Sequence, residues 1–444
     1  NTRSKDCVLT FDGYECINCY NCQVPIFSRN SVDSDGTLNA DHAYETIYSN
    51  GVYNTKFVYF SNECLDCSFL FNCIGCSNCF GCVNLRNQKY CIFNKQYSKE
   101  EYKKEIIKWD LGSYEIIQKA QEKFLELYYK TPRRFALIVN STNVTGDDIQ
   151  NTKNCQTCFS ALEGVENCKY IQLGGLLLKD SYDVTYGGDI SDLLYEVNGC
   201  ERGQRNLFSR GPNDSTDIEY SDKVYNCFYC FGCTKLRNKK YCILNKQYTK
   251  EEYEALIPKI KQHMINMPYI DKKGRVYKYG EFFPSEFSSW TYNETLAHKY
   301  FPLTKKEAIE KGFKWYEEKE RDYKITIKSE NLSDHINDVN DSILNEVIEC
   351  EHKGTCNEQC TMAFRILPDE LTFYKQMNLA LPHLCPSCRY GQRIKKKNPL
   401  KLWHRKCMCN GVESEGGIYK NTIKHTHGDE PCQNEFETAI SDER

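Results

Sequence analysis

Short runs of aromatic and β-branched residues alternate with Asn, Gly and Asp over residues 1–95. Examples of such runs are CINCYNCQV, YETIYSNGVYNTKFVYFS and CSFLFNCIGC. Brief strands at this close and even spacing are typical of a β-solenoid or a sandwich rather than of a parallel α/β sheet. The pattern returns over residues 133–226, so the sequence predicts two β-rich regions.

A helical period replaces the strand pattern directly after each β-rich region. Ser98 with Glu101, and Thr249 with Glu252, have the spacing of a capping box, which marks the first turn of a helix. We expect Gly112 to divide the first helical stretch into two helices. Each helix can cover the open edge of the β unit before it, as the ends of a solenoid require.

One stretch of the chain occurs twice without a gap. Residues 76–102 read CSNCFGCVNLRNQKYCIFNKQYSKEEY, and residues 227–253 read CFYCFGCTKLRNKKYCILNKQYTKEEY. The fold-class prediction is therefore α+β: two duplicated, Cys-rich, short-strand, β-solenoid-like units, each capped by a helix, and a C-terminal zinc-ribbon or treble-clef module. The predicted domains are the first repeat, the second repeat, a connecting segment and the metal-binding module, over residues 1–131, 132–267, 268–349 and 350–444.

The connecting segment is aromatic and polar before it becomes acidic. Residues 329–351 contain seven acidic residues and neither Lys nor Arg. Such a charge run is typical of a solvated face or linker. We therefore expect this stretch to separate the repeats from a basic C-terminal module.

Composition excludes a simple secreted or membrane protein. At 444 residues the chain is too long for one ordinary core, and its net charge is −3. Its 27 cysteines are an odd number and fall largely into C-x2-C pairs, which favours reduced thiols in the cytosol over a disulfide scaffold. We find no apolar run near the roughly 20 residues that cross a bilayer and no secretory pattern, so we expect a cytoplasmic protein without a membrane partner.

The duplicated stretch keeps cysteines at equivalent places with the spacing C-x2-C-x2-C-x8-C. They are Cys76, Cys79, Cys82, Cys91, Cys227, Cys230, Cys233 and Cys242. Four soft sulfur ligands in one short segment suit a tetrahedral zinc ion or an iron-sulfur cluster. Cys also behaves as a small apolar filler at inward positions of a solenoid. The spacing leaves metal binding and buried filler both open.

The C-terminal module carries the strongest metal signal. Cys356 and Cys360, followed by Cys385 and Cys388, form two pairs near the layout of a zinc ribbon or treble clef. The spacing of the first pair is one residue wider than usual, and Cys350 is a substitute candidate ligand. A reduced quartet at this spacing predicts a Zn²⁺ site.

The stretch between the two cysteine pairs predicts a short helix. It reads RILPDELTFYKQMNLALP, and Pro is favoured in the first turn of a helix. We expect the helix to begin near Pro368. Its residues Leu371, Tyr374 and Met377 recur at helical spacing and should pack on the metal site.

A second candidate metal cluster follows at irregular intervals. Cys407, Cys409, His427 and Cys432 could together supply sulfur and nitrogen ligands, with His425 nearby. A site whose last ligands lie beyond residue 444 would explain the same residues. The cluster therefore predicts zinc less strongly than the quartet before it.

Basic residues with interleaved aromatic residues lie between the two clusters. Basic side chains neutralise phosphates, and an aromatic ring beside them can stack on an unpaired base. The sequence shows no pattern of a recognition helix that would enter the major groove, so RNA or single strands are favoured over duplex DNA. The alternative is that these residues form only a solvated charged face. The candidate nucleic-acid-binding residues are Arg389, Arg393, Lys395, Lys396, Lys397, Lys401, Trp403 and Arg405.

Several blocks of the chain resemble one set of proteins. The blocks are CFGCTKLRNKKYCILNKQYTKEEY, FFPSEFSSWTYNETLAHKYFPLTKKEAIEKGFKW, CTMAFRILPDELTFYKQMNLALPHLCPSCR and NPLKLWHRKCMCNGV. They resemble uncharacterised cysteine-rich zinc-ribbon proteins of candidate-phyla (Patescibacteria) bacteria. The resemblance implies a zinc-binding C-terminus and no assigned activity.

These patterns together predict a non-enzymatic, zinc-binding protein that contacts RNA or single-stranded nucleic acid through its basic module. An iron-sulfur redox protein that uses the repeat cysteines is one alternative. A structural solenoid that binds a protein partner is another, because solenoid faces make extended contact surfaces. A nuclease using His404, His425 or His427 near a metal is less well supported, because the sequence offers no paired carboxylates or nucleophile-base pair.

Overall fold

The chain forms two compact units in the computed structural model. Unit 1 combines Asn1–Pro132 with Lys319–Lys397, and unit 2 combines Arg133–Glu318 with Asn398–Arg444. Each unit therefore contains one β-rich repeat and a later part of the chain. The structure describes residues 3–161, 163–317, 323–406 and 433–440.

The first β-rich repeat is a parallel sheet that we call the first coil stack (residues 3–96). Strands β1 to β7 pair in parallel in chain order, and β8 runs antiparallel to β7. Ile17 pairs with Arg29, and Arg29 pairs with Asp41, so each coil takes twelve residues. The strands are β1 (Ile17–Tyr20), β2 (Arg29–Val32), β3 (Asp41–Ile47), β4 (Tyr53–Tyr59), β5 (Leu65–Phe71), β6 (Ser77–Val83), β7 (Lys89–Ile92) and β8 (Lys95–Gln96).

A period of three governs the first coil stack. From Thr10 to Cys82 every third residue is buried. The residue before an inward position commonly has a positive φ, as at Asn18 (53°) and Asn21 (54°). Asn and Asp tolerate this left-handed conformation better than most residues, which explains why they are frequent along the stack.

Inward positions of the first coil stack take small side chains that can donate to the backbone. The Cys67 thiol donates to the carbonyl oxygen of Leu65 at 3.2 Å, and the Ser31 hydroxyl donates to that of Arg29 at 2.9 Å. Both side chains are buried. Cys and Ser therefore fill the same kind of position.

Two helices follow the first coil stack, as the sequence predicts. They are α1 (Lys99–Ile106) and α2 (Tyr114–Lys130), with a 3₁₀ turn at Ile107–Trp109 between them. The Ser98 hydroxyl accepts from the Glu101 N–H and the Glu101 carboxylate accepts from the Ser98 N–H, so the predicted capping box is confirmed. The break at Gly112 is also confirmed.

The second β-rich repeat is also a parallel sheet, which we call the second coil stack (residues 138–247). Strands β9 to β18 pair in parallel with their neighbours, and β19 runs antiparallel to β18. The strands are β9 (Ile138–Val139), β10 (Thr142–Gln150), β11 (Lys153–Ala161), β12 (Lys169–Gln172), β13 (Tyr182–Thr185), β14 (Tyr195–Asn198), β15 (Leu207–Arg210), β16 (Thr216–Glu219), β17 (Phe228–Phe231), β18 (Lys240–Ile243) and β19 (Lys246–Gln247).

Some coils of the second coil stack contain one extra residue. Lys169 pairs with Tyr182, thirteen residues later, whereas later coils return to twelve. Gly174 and Gly187 lie next to each other at this corner with positive φ, and a Cβ on Gly174 would lie 2.4 Å from the Gly187 nitrogen. The stack closes with α3 (Lys250–Asn266), whose Thr249 capping box is confirmed.

The rest of the described chain is distributed between the two units. In unit 2 the elements are β20 (Tyr269–Ile270), β21 (Val276–Tyr277), α4 (Leu296–Tyr300) and α5 (Lys305–Glu310), and in unit 1 they are β22 (Ile348–Glu349), β23 (Ala363–Phe364), α6 (Pro368–Gln376) and α7 (Pro386–Lys396). Strands β24 (Trp403–Lys406) and β25 (Glu435–Thr438) pair in unit 2. The 3₁₀ helices are Ser285–Phe287, Tyr292–Glu294, Ser329–Asn331, Ile336–Asp338 and Asp341–Asn345.

The acidic segment is packed, which differs from the solvated linker expected from its charge. The Asp334 carboxylate accepts from the Ser113 hydroxyl at 2.6 Å and from the Glu115 N–H at 2.9 Å. A carboxylate at a helix N-terminus is favourable because it satisfies unpaired N–H groups. The segment also contributes buried apolar side chains to the core of unit 1, at Ile336, Ile343 and Ile348.

The fold is therefore a mixed α/β arrangement of parallel sheets with few helices. The core of unit 1 joins aromatic residues of the first coil stack, such as Tyr44, to α2, α6 and the cysteines before α7. Within the described residues no helix combines the length and the apolar character that crossing a membrane requires.

Candidate metal centre

A small hairpin and two helices position the C-terminal cysteines. Cys350 directly follows β22, and Cys360 lies three residues before β23, with which β22 pairs. Cys385 precedes α7, and Cys388 lies in its first turn. Pro386 suits this helix start because its fixed φ is helical and it has no N–H to leave unpaired. The connection between β22 and β23 and the start of α7 thus place their cysteines close together.

The structure brings Cys350, Cys360, Cys385 and Cys388 together as a buried set, which we call the four-cysteine group. All four sulfurs lie within 4.8 Å of one another. The Cys350 and Cys388 sulfurs are 3.8 Å apart, and those of Cys385 and Cys360 are 4.0 Å apart. A tetrahedral zinc ion with Zn–S bonds of about 2.3 Å places its sulfurs about 3.8 Å apart. The four-cysteine group can therefore hold a metal ion.

Hydrogen bonds among the thiols of the four-cysteine group favour the thiolate of Cys385 and the protonated thiol of Cys350. The Cys385 N–H donates to the Cys350 sulfur at 3.2 Å, and the Met362 N–H donates to the Cys360 sulfur at 3.3 Å. The neighbouring thiols of Cys350 and Cys388 hold the pKa of Cys385 far below its ordinary value. The hydrogen bond with Cys385 raises the pKa of Cys350 to about 12. A divalent cation would displace the protons of the thiols that hydrogen-bond to one another here, because thiolate is the form of cysteine that binds metal.

Cys356 belongs to a neighbouring group rather than to the four-cysteine group. The sequence predicted Cys356 as the fourth member of this group, but in the structure the fourth member is Cys350. The Cys350 N–H donates to the Met362 carbonyl oxygen at 2.7 Å. The ligand atoms of Cys356, His352, Glu358 and Cys388 also lie within 4.8 Å of one another. Sequence reasoning missed His352 and Glu358.

A local signal could have indicated these two residues. From residue 350 to residue 360 the chain reads CEHKGTCNEQC, which places five residues with metal-binding side chains at even-numbered positions. The two cysteine pairs chosen from the sequence follow the usual C-x2-C template more closely. That template has no place for a histidine or a carboxylate between cysteines.

The repeat cysteines occupy interior positions of the two coil stacks. Cys76, Cys79, Cys82, Cys91, Cys227, Cys230, Cys233 and Cys242 are all buried. Among the described residues, none of these eight belongs to a set of three or more ligand atoms within 4.8 Å of one another. Their spacings are multiples of three, which is the inward period of the stack. The Cys82 thiol donates to the carbonyl oxygen of Phe80 at 3.3 Å, as an inward Ser does.

The second candidate cluster lies outside the described residues. Cys407, Cys409, His425, His427 and Cys432 all fall within residues 407–432. The prediction that they bind zinc is untested by the structure. In the rest of the chain, no described cysteine forms a disulfide.

Two of the three arginines of the predicted nucleic-acid surface are buried in ion pairs within unit 1. Arg389 and Arg393 have side-chain exposures of 8% and 1%. Both donate to the Asp33 carboxylate, at 2.6 and 2.7 Å, and Arg393 also lies 3.4 Å from Asp35. Burial lowers the pKa of Arg393, but Asp35 and Asp33 raise it by more. These guanidinium groups face carboxylates in the structure, so they do not face solvent.

The lysines at the C-terminal end of α7, and Lys397 directly after it, also contact carboxylates. Lys397 is buried 3.8 Å from Asp35, and Lys396 contacts Glu45. Lys395 is exposed and contacts Glu358. α7 therefore uses its positive charge largely for contacts inside unit 1.

The remaining basic candidates belong to unit 2. Lys401 is exposed, and its ammonium lies 5.0 Å from the centre of the Trp403 ring. Trp403 and Arg405 are half-buried in β24, which pairs with β25. His404 lies between the carboxylates of Glu435 and Glu437, at 3.1 and 2.8 Å. This strand has acidic neighbours, and so it is not a purely basic surface.

Unit 1 also contains a cleft of about 350 Å³ beside α1. Burial lowers the pKa of Lys56 in this cleft to about 8, although the carboxylates of Asp110 and Asp66 act in the opposite direction. Such a cleft with a perturbed cation and aromatic walls has the composition of a small-ligand site. Its walls include Asn54, Phe80, Tyr102, Trp109 and Asn378.

Comparison with known proteins identifies no family for this chain. No family model matches the sequence, and no curated protein matches it. One solved structure found by comparison is described as a "putative acetyltransferase" from Desulfovibrio desulfuricans G20. The alignment has 10% sequence identity, covers 49% of this chain and 50% of that chain, and has a TM-score of 0.10. A likeness at that level carries no argument about fold or function.

Proposed function

We propose that this protein is a non-enzymatic binding scaffold of the cytoplasm, with a C-terminal module folded by Zn²⁺ at Cys350, Cys360, Cys385 and Cys388. The proposal is carried by one observation, the four buried sulfurs within 4.8 Å of one another. Four thiolates with no open position are typical of structural zinc sites, whereas catalytic sites keep a position for water. The metal is therefore assigned a folding role.

The arrangement around the four-cysteine group supports zinc. One pair of cysteines lies in the connection between two short paired strands, and the other pair lies at the start of a helix. That layout is similar to a zinc ribbon or treble clef. Zn²⁺ is redox-inactive, and four thiolates in a closed tetrahedral arrangement are one of its usual structural ligand sets.

In the proposal, the metal fixes α7 so that its cations reach the first coil stack. Cys385 and Cys388 hold the first turn of α7, and Arg389 and Arg393 follow on the same helix. Their ion pairs with Asp33 then join the module to the stack. The module thus completes unit 1, instead of presenting these arginines to phosphates.

The binding part of the proposal rests on the coil stacks, which we interpret as β-solenoids. Solenoids present extended surfaces to partner proteins. Binding of RNA or single-stranded nucleic acid through α7 is the less favoured candidate, because the structure shows its arginines buried against Asp33 and Asp35. Exposed Lys401 beside Trp403 is the remaining feature in its favour.

Metal analysis of the purified, reduced chain tests the proposal. We expect at least one tightly bound zinc per chain and no visible absorbance. Cys360→Ser should lose one zinc, whereas the matched control Cys67→Ser, which alters another buried thiol, in the first coil stack, should lose none. A folded chain without zinc would refute the proposal, and iron with visible absorbance would instead support the redox alternative.

A further inference from the structure

Two buried polar atoms beside the four-cysteine group lack hydrogen-bond partners. They are Nδ1 of His352 and Oε2 of Glu358, which lie 3.7 Å apart. The Glu358 side chain is 9% exposed. Buried polar atoms are normally paired, because an unpaired one has lost its hydrogen bonds to water without replacing them. A ligand between the two atoms would satisfy both.

Two sulfurs face the same point. The sulfur of Cys356 lies 3.5 Å from that of Cys388. Together with His352 and Glu358 they form a set whose ligand atoms all lie within 4.8 Å of one another. One nitrogen, one carboxylate oxygen and two sulfurs are a donor set that suits Zn²⁺ or a similar divalent cation.

The chain holds Glu358 firmly in this place. One carboxylate oxygen contacts Lys395, which leaves Oε2 directed toward His352. Gly391 of α7 provides the room, because a Cβ there would lie 2.2 Å from Cγ of Glu358. Glycine is less favourable than Ala inside a helix, and the close approach of Glu358 explains why a glycine occupies this position.

We propose that His352, Cys356, Glu358 and Cys388 form a second cation site, and that the Cys388 thiolate bridges the two ions. The bridge rests on the proposed function, because it requires an ion in the four-cysteine group. Cys388 is the residue that both groups share. Paired metal ions that share ligands lie about 3.5–4 Å apart, a separation that one bridging sulfur can span.

Charge favours two ions over one. Seven side chains build the pair of sites: five thiolates, the Glu358 carboxylate and the neutral His352 ring. One divalent ion leaves most of the six negative charges close together, whereas two ions together with Lys395 offset nearly all of them. His352 and Cys356 are half-buried, and the ligands of the four-cysteine group are buried, so the second ion should exchange faster than the first.

Native mass spectrometry of the full, reduced chain during titration with Zn²⁺ tests this site. We expect at least two ions per chain at saturation, and one ion fewer than the wild type for the double variant His352→Ala/Glu358→Gln. The matched control Asp41→Asn/His42→Ala removes another His–carboxylate contact, at 2.8 Å in the first coil stack, and should bind as many ions as the wild type. Titration with Co²⁺ followed by absorption should show one step fewer for Cys356→Ser than for the wild type, and this variant also serves if the double variant does not fold.

The outcomes separate this inference from the proposed function. One ion at saturation in the wild type, or equal numbers of ions in the wild type and the double variant, would overturn the second site. Loss of an ion in the Asp41→Asn/His42→Ala control would overturn it as well. A wild-type chain that binds no ion would refute the proposed function itself. Loss of one ion in the double variant shows that the second site depends on His352 and Glu358. Loss in Cys360→Ser of an ion that the double variant retains supports the four-cysteine site.

Discussion

Cys67 shows why an inward cysteine of a coil stack need not bind metal. Its thiol is buried and donates to the carbonyl oxygens of Leu65 at 3.2 Å and Cys76 at 3.6 Å. Ser31 occupies the equivalent place three coils earlier within the same parallel register and makes the same kind of hydrogen bond. What such a position requires is a small side chain with one donor, and both residues meet that requirement.

Substitution of Cys67 tests this account. We expect Cys67→Ser to lower the free energy of unfolding by about 1 kcal/mol or less, since the donor and the size are kept. Cys67→Leu should cost about 1–3 kcal/mol or more, because the interior has no room for extra methylene groups. Urea denaturation of both variants checks this, and equal costs for Ser and Leu would contradict it.

At the scale of elements, α7 joins the four-cysteine group to the first coil stack. Its arginines share the Asp33 carboxylate, and the Tyr374 hydroxyl of α6 accepts from Arg389 at 2.9 Å. Removal of one partner of a buried ion pair leaves the other charge uncompensated, which is costly. The helix is therefore held by charge as well as by packing.

Asp33→Asn should destabilise α7 strongly. We expect a loss of about 3–5 kcal/mol, because Arg389 and Arg393 would remain buried without that carboxylate. Arg205→Gln is the control: it breaks a half-exposed ion pair with Asp217 and should cost less than about 1 kcal/mol. Hydrogen exchange of α7 peptides in increasing denaturant measures the loss of stability in Asp33→Asn. Hydrogen exchange of peptides around residue 205 measures the loss in Arg205→Gln. Similar losses for both variants would argue against the buried network.

At the scale of the whole molecule, the two units differ in their described metal ligands. The four-cysteine group and its neighbouring group lie in unit 1. Among the described residues of unit 2, no such group occurs. Removal of a metal ion from the four-cysteine group should therefore act on unit 1.

Chelation should selectively loosen the module of unit 1. We expect hydrogen exchange to rise at least tenfold, or by roughly 1.4 kcal/mol, in β22, β23 and α7 once zinc is removed, because structural zinc contributes folding free energy. The second coil stack should exchange at its original rate. Mass spectrometry of the chelated and reloaded chain measures both, and uniform loosening of the two stacks would contradict the assignment.

The sequence by itself determined the features that depend on neighbours along the chain. The capping boxes at Ser98 and Thr249, the start of α6 at Pro368 and the Cys385–Cys388 pair at a helix start are all local. The duplication likewise predicted two β-rich repeats. Leu371, Tyr374 and Met377 are buried in the core that contains the metal-site cysteines, as their helical spacing predicted.

Only the tertiary structure decided which residues meet across the chain. It replaced Cys356 by Cys350 in the four-cysteine group, since the hairpin of β22 and β23 sets that distance. It also turned Arg389 inward, because its partner Asp33 lies 356 positions earlier in the sequence. A run of basic residues looks like a solvated surface in the sequence when the carboxylates that pair with it lie far away along the chain. Only folding brings the two into contact.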